Sequence, residues 1–379
     1  MNQDFCNTQG YLNTAGAGLI SNSTAEAGIK FIQDLHSSGS TAFLKWREQC
    51  LPKLFAKAAT LLDAQESELA FPPNLSFSLQ GIISGIPSTS KVFLIEDDYP
   101  SLTLPFRLGG YSIVKSGPTS IADYQDHIEA QIEIQLVDIV AVSHVQFKSG
   151  FTLDLDRLGQ FCRSKGIISI VDCTQSLGAI PISFKKSQID VLIASNYKWM
   201  NAGFGSGIVA ATEGFFDKYP SKFGGFGSFR MQDGQLVYPG GIRSLEPGHQ
   251  AYSSLSMLEI AMDEKIHLGV DKIWDHNSKL DHLLAEGLKK LGMSRLEKGT
   301  ASCQSSISVI SCNEQVGTGL AKRGIVNTFT EGHLRIAPHF YNDESDIELF
   351  INSLEEINSK ATVPTSLLFL GKKQPFQLH

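Results

Sequence analysis

Metal-binding and disulfide signatures are missing from this chain of 379 residues. Its six cysteines (Cys6, Cys50, Cys162, Cys173, Cys303 and Cys312) form no CxxC pair and no ligand spacing, so they read as reduced, mostly buried thiols of a cytosolic protein. No apolar run approaches the roughly 18 residues that a spanning helix needs. The opening MNQDFCNTQG lacks the basic start and apolar stretch of a secretory signal. Excess positive charge is absent too. The net charge is -7 and the basic residues are scattered, which argues against nucleic acid or an anionic membrane as partner. Neither internal repeats nor low-complexity tracts interrupt the chain. Nucleotide-binding loops are also lacking: there is no GxxxxGK[ST], and GFGSG at 203–207 precedes a strand pattern rather than a helix.

What is there is a large core in the making. Hydrophobic residues make up 42% of a chain long enough for two domains, since single cores stop growing near about 250–300 residues. Between about 90 and 212, β-branched runs alternate with helical stretches: KVFLIED (91–97), LVDIVAVSHV (136–145), GIISIVDC (166–173), DVLIAS (190–195) and GSGIVAAT (205–212). Leu155, Leu158, Phe161 and Cys162 keep helical spacing, and Gly166 marks a stop. Continuous apolar strands joined by helices predict a mostly parallel sheet covered on both faces. After about 254 the pattern becomes α+β: a long helical region to about 292, SSISVISC (305–312), a short helix ending near Gly324, GHLRIAPHF (332–340) and a last helix over 343–357. The final PTSLLFLGKKQPFQLH reads as a loosely packed tail.

Ligands of such sheets bind beyond the carboxyl ends of the strands. Polar residues collect at those predicted ends: Asp97 and Tyr99, His144 and Gln146, Asp172 and Gln175, Ser195 and Lys198. Asp172 either caps a following helix through CTQSLGAI or faces a protonated ring nitrogen, with Gln175 one turn on. Lys198 is either a loop cation or a desolvated amine able to form a Schiff base with an aldehyde. Aspartate and lysine on neighbouring strand ends suit pyridoxal phosphate, whose pyridine nitrogen needs an acid partner and whose aldehyde needs an amine. A phosphate would need a cradle, and residues 71–83 supply a Pro-broken loop entering a helix at Asn74, Leu75 and Ser76. Ser195 and Tyr197 add hydroxyl donors beside the lysine.

VDCTQSLGAIPI followed by SNYKWMNAGFGSG resembles the class V aminotransferase family of fold-type I pyridoxal phosphate enzymes. The kynureninase-like and isopenicillin N epimerase-like branches look most similar. The resemblance runs from YLNTAGAG (11–18) to RIAPHFYNDESDIELFINSL (335–354). It implies an α/β large domain with a seven-stranded type of mostly parallel sheet, over 21–255, and a smaller domain made of 1–20 and 256–379. It further implies that Lys198 carries the cofactor, Asp172 pairs with the ring nitrogen, Gln175 contacts the phenolic oxygen, Tyr99 stacks on the ring and His144 lies close by. Arg335 matches the arginine that takes the substrate carboxylate, and Ala15 and Gly16 match a segment passing the substrate side. A cytoplasmic homodimer with a shared site is implied, in which Gly248 and His249 stand where relatives place a Gly-Thr pair on the partner's phosphate. Cysteine desulfurases carry a nucleophilic cysteine shortly before that arginine, whereas GIVNTFTEGHLR (324–335) has none, so a persulfide route is disfavoured. The expected activity is transaminase-like, with a lyase or an epimerase as alternatives. A catalytically silent binding protein on the same fold is the alternative of another class.

Overall fold

The computed structural model describes residues 4–116, 124–238, 240–298 and 304–361. Cys303 and the segment 364–379 lie outside the described residues.

Seven strands form the main sheet: β1 (Leu69–Ala70), β2 (Lys91–Leu94), β3 (Ser112–Lys115), β4 (Ile139–Ser143), β5 (Ile168–Asp172), β6 (Val191–Ser195) and β7 (Gly207–Ala211). Their order is β1-β7-β6-β5-β4-β2-β3. The run β6-β5-β4-β2-β3 is parallel, while β7 joins β6, and β1 joins β7, antiparallel. Every residue of β4, β5, β6 and β7 is buried. Alternation along these strands explains why the runs are apolar throughout. Val140, Val142, Val171 and Leu192 enter the core on one face, and Ile139, Ala141, Ile170 and Ile193 enter the core on the other. Each such side chain contributes roughly 1.5–3 kcal/mol of burial. The predicted strands are all present. Two escaped the pattern: β3, an edge strand exposed at both ends, and β1, which is only two residues long.

The helix Leu155–Lys165 ends where Gly166 takes a left-handed φ of 69°. The long helical region is two helices, Tyr252–Leu268 and Val270–Lys290, because Gly269 turns to φ 81° between them. A hairpin follows β7, made of β8 (Arg230–Gln232) and β9 (Gln235–Val237). Towards the C-terminus, β10 (Ser308–Ser311), β11 (Thr328–Thr330) and β12 (His333–Ile336) form an antiparallel sheet in the order β10-β12-β11. Its core includes Leu12, Leu284, Leu320, Leu334 and Phe350. The N-terminal segment joins this unit through bridges Tyr11 to Val326 and Asn13 to Ala337. That bond pattern brings residues 11–18 past the end of β6, where the lysine lies.

The thiols are less buried than their residue type suggests. Among the five described cysteines, all free, Cys162 and Cys173 are buried, Cys50 and Cys312 partly so, and Cys6 is exposed. No described helix is long and apolar enough to cross a membrane.

Candidate active site

Lys198 sits in the tight turn after β6, six per cent exposed. Its Nζ lies 5.4 Å from the centre of the Tyr99 ring and 5.5 Å from that of Tyr197. Burial lowers its pKa to about 8, against the pull of Asp172 and with a push from Arg335. An amine in that range is available as a nucleophile near neutral pH.

Asp172 ends β5, and its backbone pairs with Ile193 of β6. The carboxylate is buried and accepts the Thr174 N–H at 2.8 Å. Desolvation raises its pKa to about 6, opposed by Thr174 and more weakly by Lys198. The helix expected after it is absent: residues 174–179 form successive turns, so Asp172 caps a turn and not a helix. Gln175 is already engaged, its Nε2 donating to the Ala15 carbonyl (3.1 Å) and its Oε1 accepting the Trp199 indole N–H (2.8 Å). It thereby ties the N-terminal segment to the lysine turn.

The phosphate-binding candidates come together on one side. Asn74 caps the helix Leu75–Ile83 by accepting the Phe77 N–H, and the Leu75 N–H donates to the Ser195 hydroxyl at 2.9 Å. The cradle therefore joins residues 120 apart in sequence. The Tyr197 phenol meets Tyr99, and Asp172 and Arg335 both act on it. Its ring stacks on Phe204 (4.8 Å).

Arg335, on β12, reaches this pocket from the small sheet. One terminal nitrogen donates to the Phe147 carbonyl (2.9 Å) and the other to Thr328 Oγ1 (3.4 Å), while Nε is buried with no partner. Burial lowers its pKa to about 10. Phe147, absent from the expectations, meets Tyr99 edge-on at 5.4 Å and so links the ring platform to the arginine. An aromatic one residue after a polar strand end carries no sequence signal of its own. Asp98 was missed as well, in favour of its exposed neighbour Asp97. Buried Asp98 accepts from Tyr99 N, Ser143 N, Ser143 Oγ and Gln146 Nε2, and so fixes where the Tyr99 loop leaves the sheet.

Three further expected residues make contacts of their own, and His144 joins the site through its backbone N–H, which donates to the Asp172 carbonyl at 2.9 Å. The His144 imidazole bonds Ser176 Oγ at 2.8 Å and borders a cavity of about 510 Å³ whose other walls include Leu153, Leu177 and Ile180. Neither Lys198, Tyr99, Asp172 nor Arg335 lines that cavity. Burial lowers the His144 pKa to about 3, so the ring is neutral. Gly248 and His249 are exposed, with the His249 ring against Phe43 (5.3 Å).

Close backbone approach falls on Gly18 more than on Gly16. A Cβ at Gly18 would stand 2.0 Å from the Lys198 carbonyl, whereas at Gly16 it would meet the side chain of Asn13. Ala15, one per cent exposed, packs under the same turn. In GFGSG, Gly203 (φ 67°) faces Met257 and Gly205 (φ 95°) faces Ser254, so these glycines turn against the helix Tyr252–Leu268.

Known proteins share this arrangement of elements. Residues 106–350 match the family described as "Aminotransferase class-V". An uncharacterized aminotransferase, YcbU of Bacillus subtilis, is 25% identical over 92% of this chain and 94% of its own. A probable cysteine desulfurase of Pyrococcus abyssi is 25% identical over 79% and 81% respectively, and the kynureninase of Pseudomonas fluorescens 26% over 63% and 58%. Among solved structures, the cysteine desulfurase of Thermococcus onnurineus superposes with a TM-score of 0.82, covering 94% of this chain and 97% of that one at 20% identity. Kynureninases and desulfurases thus both stand among the relatives, and no single branch is singled out. With more than half of its length matched, the chain belongs to the class V aminotransferase family.

Proposed function

We propose that this protein is a pyridoxal 5′-phosphate enzyme that acts on an amino acid, with Lys198 as the lysine that holds the cofactor covalently. The observation that carries this reading is a buried amine lowered to about 8, facing the Tyr99 ring, one strand from a buried carboxylate that no protein cation pairs among the described residues. Bound there, the cofactor supplies an electron sink for the substrate carbanion.

The chain's own groups then have definite tasks. Asp172 holds a proton on the pyridine nitrogen. The N-terminus of the helix Leu75–Ile83, with Ser76 and the Ser195 hydroxyl, receives the phosphate. Tyr99 offers its face to the ring, and the second N–H of Gln175 remains free for the phenolic oxygen. Arg335 would bind the substrate carboxylate through the guanidinium N–H groups not used by Phe147 and Thr328. Lys198 Nζ would be the general base that takes the proton from the substrate Cα.

Amino-group transfer is the leading reaction, in line with the aminotransferase matched over 92% of the chain. A desulfurase reaction is disfavoured because β11 and β12 join through a two-residue turn, Glu331 and Gly332 at φ 52° and 79°, leaving no loop there to carry a cysteine over the pocket. We also propose a homodimer in which the exposed Gly248 and His249 reach the partner's cofactor, so the loaded enzyme should sediment at twice the chain mass.

The test is direct. Purified protein mixed with pyridoxal phosphate should turn yellow, and Lys198→Ala should not. A panel of amino acids is then read for keto acid and ammonia together. A colourless wild-type protein, or a Lys198→Ala variant with the same colour, would sink the proposal.

A further inference from the structure

Beneath the lysine turn lies a buried polar cluster that none of the assignments above uses. Lys265, on the helix Tyr252–Leu268, is completely buried, and no carboxylate lies within ion-pairing distance of it among the described residues. Its Nζ donates to Asn201 Oδ1 (2.5 Å), stands 3.4 Å from His339 Nε2 and sits 3.8 Å from the centre of the Phe340 ring. Its neighbour Glu264 turns the other way, accepting from Ser21 and Thr24. Leaving a lysine there without a counter-charge is costly, so the packing around it must hold it in place.

What it touches is the turn itself. Asn201, held at a left-handed φ of 59°, closes that turn by donating its N–H to the Lys198 carbonyl (3.1 Å). Its side-chain Nδ2 donates to the Leu19 carbonyl (2.8 Å). His339 Nε2 contacts the Trp199 carbonyl (3.0 Å) and Asn201 Oδ1 (3.1 Å), while Asn277 Nδ2 faces Nδ1 (3.1 Å). With Asn277 donating to Nδ1, the Nε2–H donates to the Trp199 carbonyl, which makes the imidazole neutral. The Tyr197 carbonyl is taken by the Gly18 N–H (2.9 Å). Each backbone carbonyl from 197 to 199 is therefore clamped, by the N-terminal segment, by Asn201 and by the C-terminal unit. His339 lies four residues beyond Arg335, on the stretch RIAPH that Pro338 stiffens.

We propose that Lys265, Asn201 and His339 are positioning residues that lock the turn bearing Lys198 to the strand bearing Arg335, keeping the amine and the guanidinium at one separation. Lys265 orders Asn201, Asn201 fixes the lysine backbone, and His339 carries the same constraint into the small sheet. The claim rests on the reading of Lys198 and Arg335 as the two substrate-facing groups.

The experiment compares Lys265→Met and Asn201→Gly with wild type; glycine keeps the left-handed backbone while removing the amide. Amide hydrogen exchange is followed at Asn201 and Gly18 in the cofactor-free protein. Both variants should speed exchange there by about tenfold or more, with exchange in β4 and β5 unchanged. The melting temperature of Lys265→Met should stay within about 3 °C of wild type or rise, since a buried amine with no carboxylate partner is lost. In protein loaded with pyridoxal phosphate, the pH midpoint of the visible colour should move by about half a unit or more, a change that a purely structural lysine would not produce.

Wild-type exchange and an unmoved midpoint in both variants overturn the proposal. So does faster exchange spread over the whole protein in step with a fall in melting temperature. If Lys265→Met does not fold, Asn201→Gly decides between the same outcomes. A wild-type protein that takes up no cofactor defeats the enzyme reading instead, and the cofactor-free exchange data still judge the clamp.

Discussion

Arg335→Met isolates the carboxylate-binding role proposed for it, because the protein itself makes little use of that guanidinium. Only two bonds hold it, to the Phe147 carbonyl and to Thr328 Oγ1, and the longer is 3.4 Å. Losing them costs about 1–2 kcal/mol, offset by no longer burying a cation whose pKa burial already lowers to about 10. Stability should therefore change little. Substrate binding should not be spared. A charge-assisted hydrogen bond contributes roughly 1.5–3 kcal/mol, and a carboxylate held by two guanidinium N–H groups makes two. Allowing for imperfect geometry, about 3–4 kcal/mol is lost, equivalent to about 100- to 1000-fold in kcat/KM. The assay pairs an accepted amino acid with the amine lacking its carboxyl group, and follows the visible absorbance of the loaded enzyme on mixing. The amino acid should lose about two to three orders of magnitude, the amine less than about fivefold, and the resting colour should persist. An equal loss for both, or loss of the colour, would show that Arg335 supports the pocket and does not read the carboxylate.

Two further predictions concern the lysine turn. Between pH 8 and 10.5 the folded cofactor-free protein holds fewer protons at Lys198 than the unfolded chain does, since burial takes the pKa from 10.5 to about 8. Wild-type stability should therefore rise with pH across that window relative to Lys198→Met, by about 3 kcal/mol in total, read by urea unfolding at each pH. A difference that stays constant from pH 7 to 10.5 would contradict the burial argument. Gly18→Ala places a Cβ 2.0 Å from the Lys198 carbonyl and should cost about 3 kcal/mol and abolish the colour, whereas Gly214→Ala, in open space within the helix Glu213–Lys218, should gain about 0.5–1 kcal/mol. A Gly18→Ala protein as stable as wild type would refute the close approach.

Much of this was legible because two signals are local. Apolar runs of five residues at β4 to β7 state their own burial, and Asp172, Ser195 and Lys198 sit at or just past the ends of those runs. Gly269 was the harder case: the helical periodicity continues on both sides of it, and only its left-handed φ makes two helices of one region. His144 shows a different limit. Being at a strand end says which edge of the sheet a residue occupies, but not which partner its side chain takes, and here the ring bonds Ser176. Tyr197 follows Ser195 by two residues, yet its ring stacks on Phe204 while the Ser195 hydroxyl accepts the Leu75 N–H, partners that the sequence does not announce. Phe147, Asp98 and Lys265 matter through partners 45 to 188 residues apart in sequence, a dependence that no window along the chain contains.

The pattern of ion pairing separates scaffold from site more sharply than residue type does. Away from the site and the Lys265 cluster beneath it, the chain compensates its buried charges: Lys298 and Arg295 share Asp281, with Ser308 donating to the same carboxylate. Asp98, equally buried, accepts four bonds from the protein. Lys198 and Arg335, by contrast, enter no ion pair among the described residues, and there the Asp172 carboxylate accepts only from Thr174. A chain able to neutralise Lys298 internally leaves two cations and one carboxylate uncompensated around one aromatic face. Desolvating those groups without partners costs several kcal/mol, and the cost is recovered only when something outside the chain supplies the missing charges. An acid-accepting amine, a bidentate cation and a lone carboxylate call for a ligand with an electrophilic carbon, an anionic group and a protonated nitrogen. A cofactor and an amino acid together meet all three demands. Either alone leaves at least one charge unpaired, which is why the pocket is read as a site for two molecules that react and not as a binding site for one.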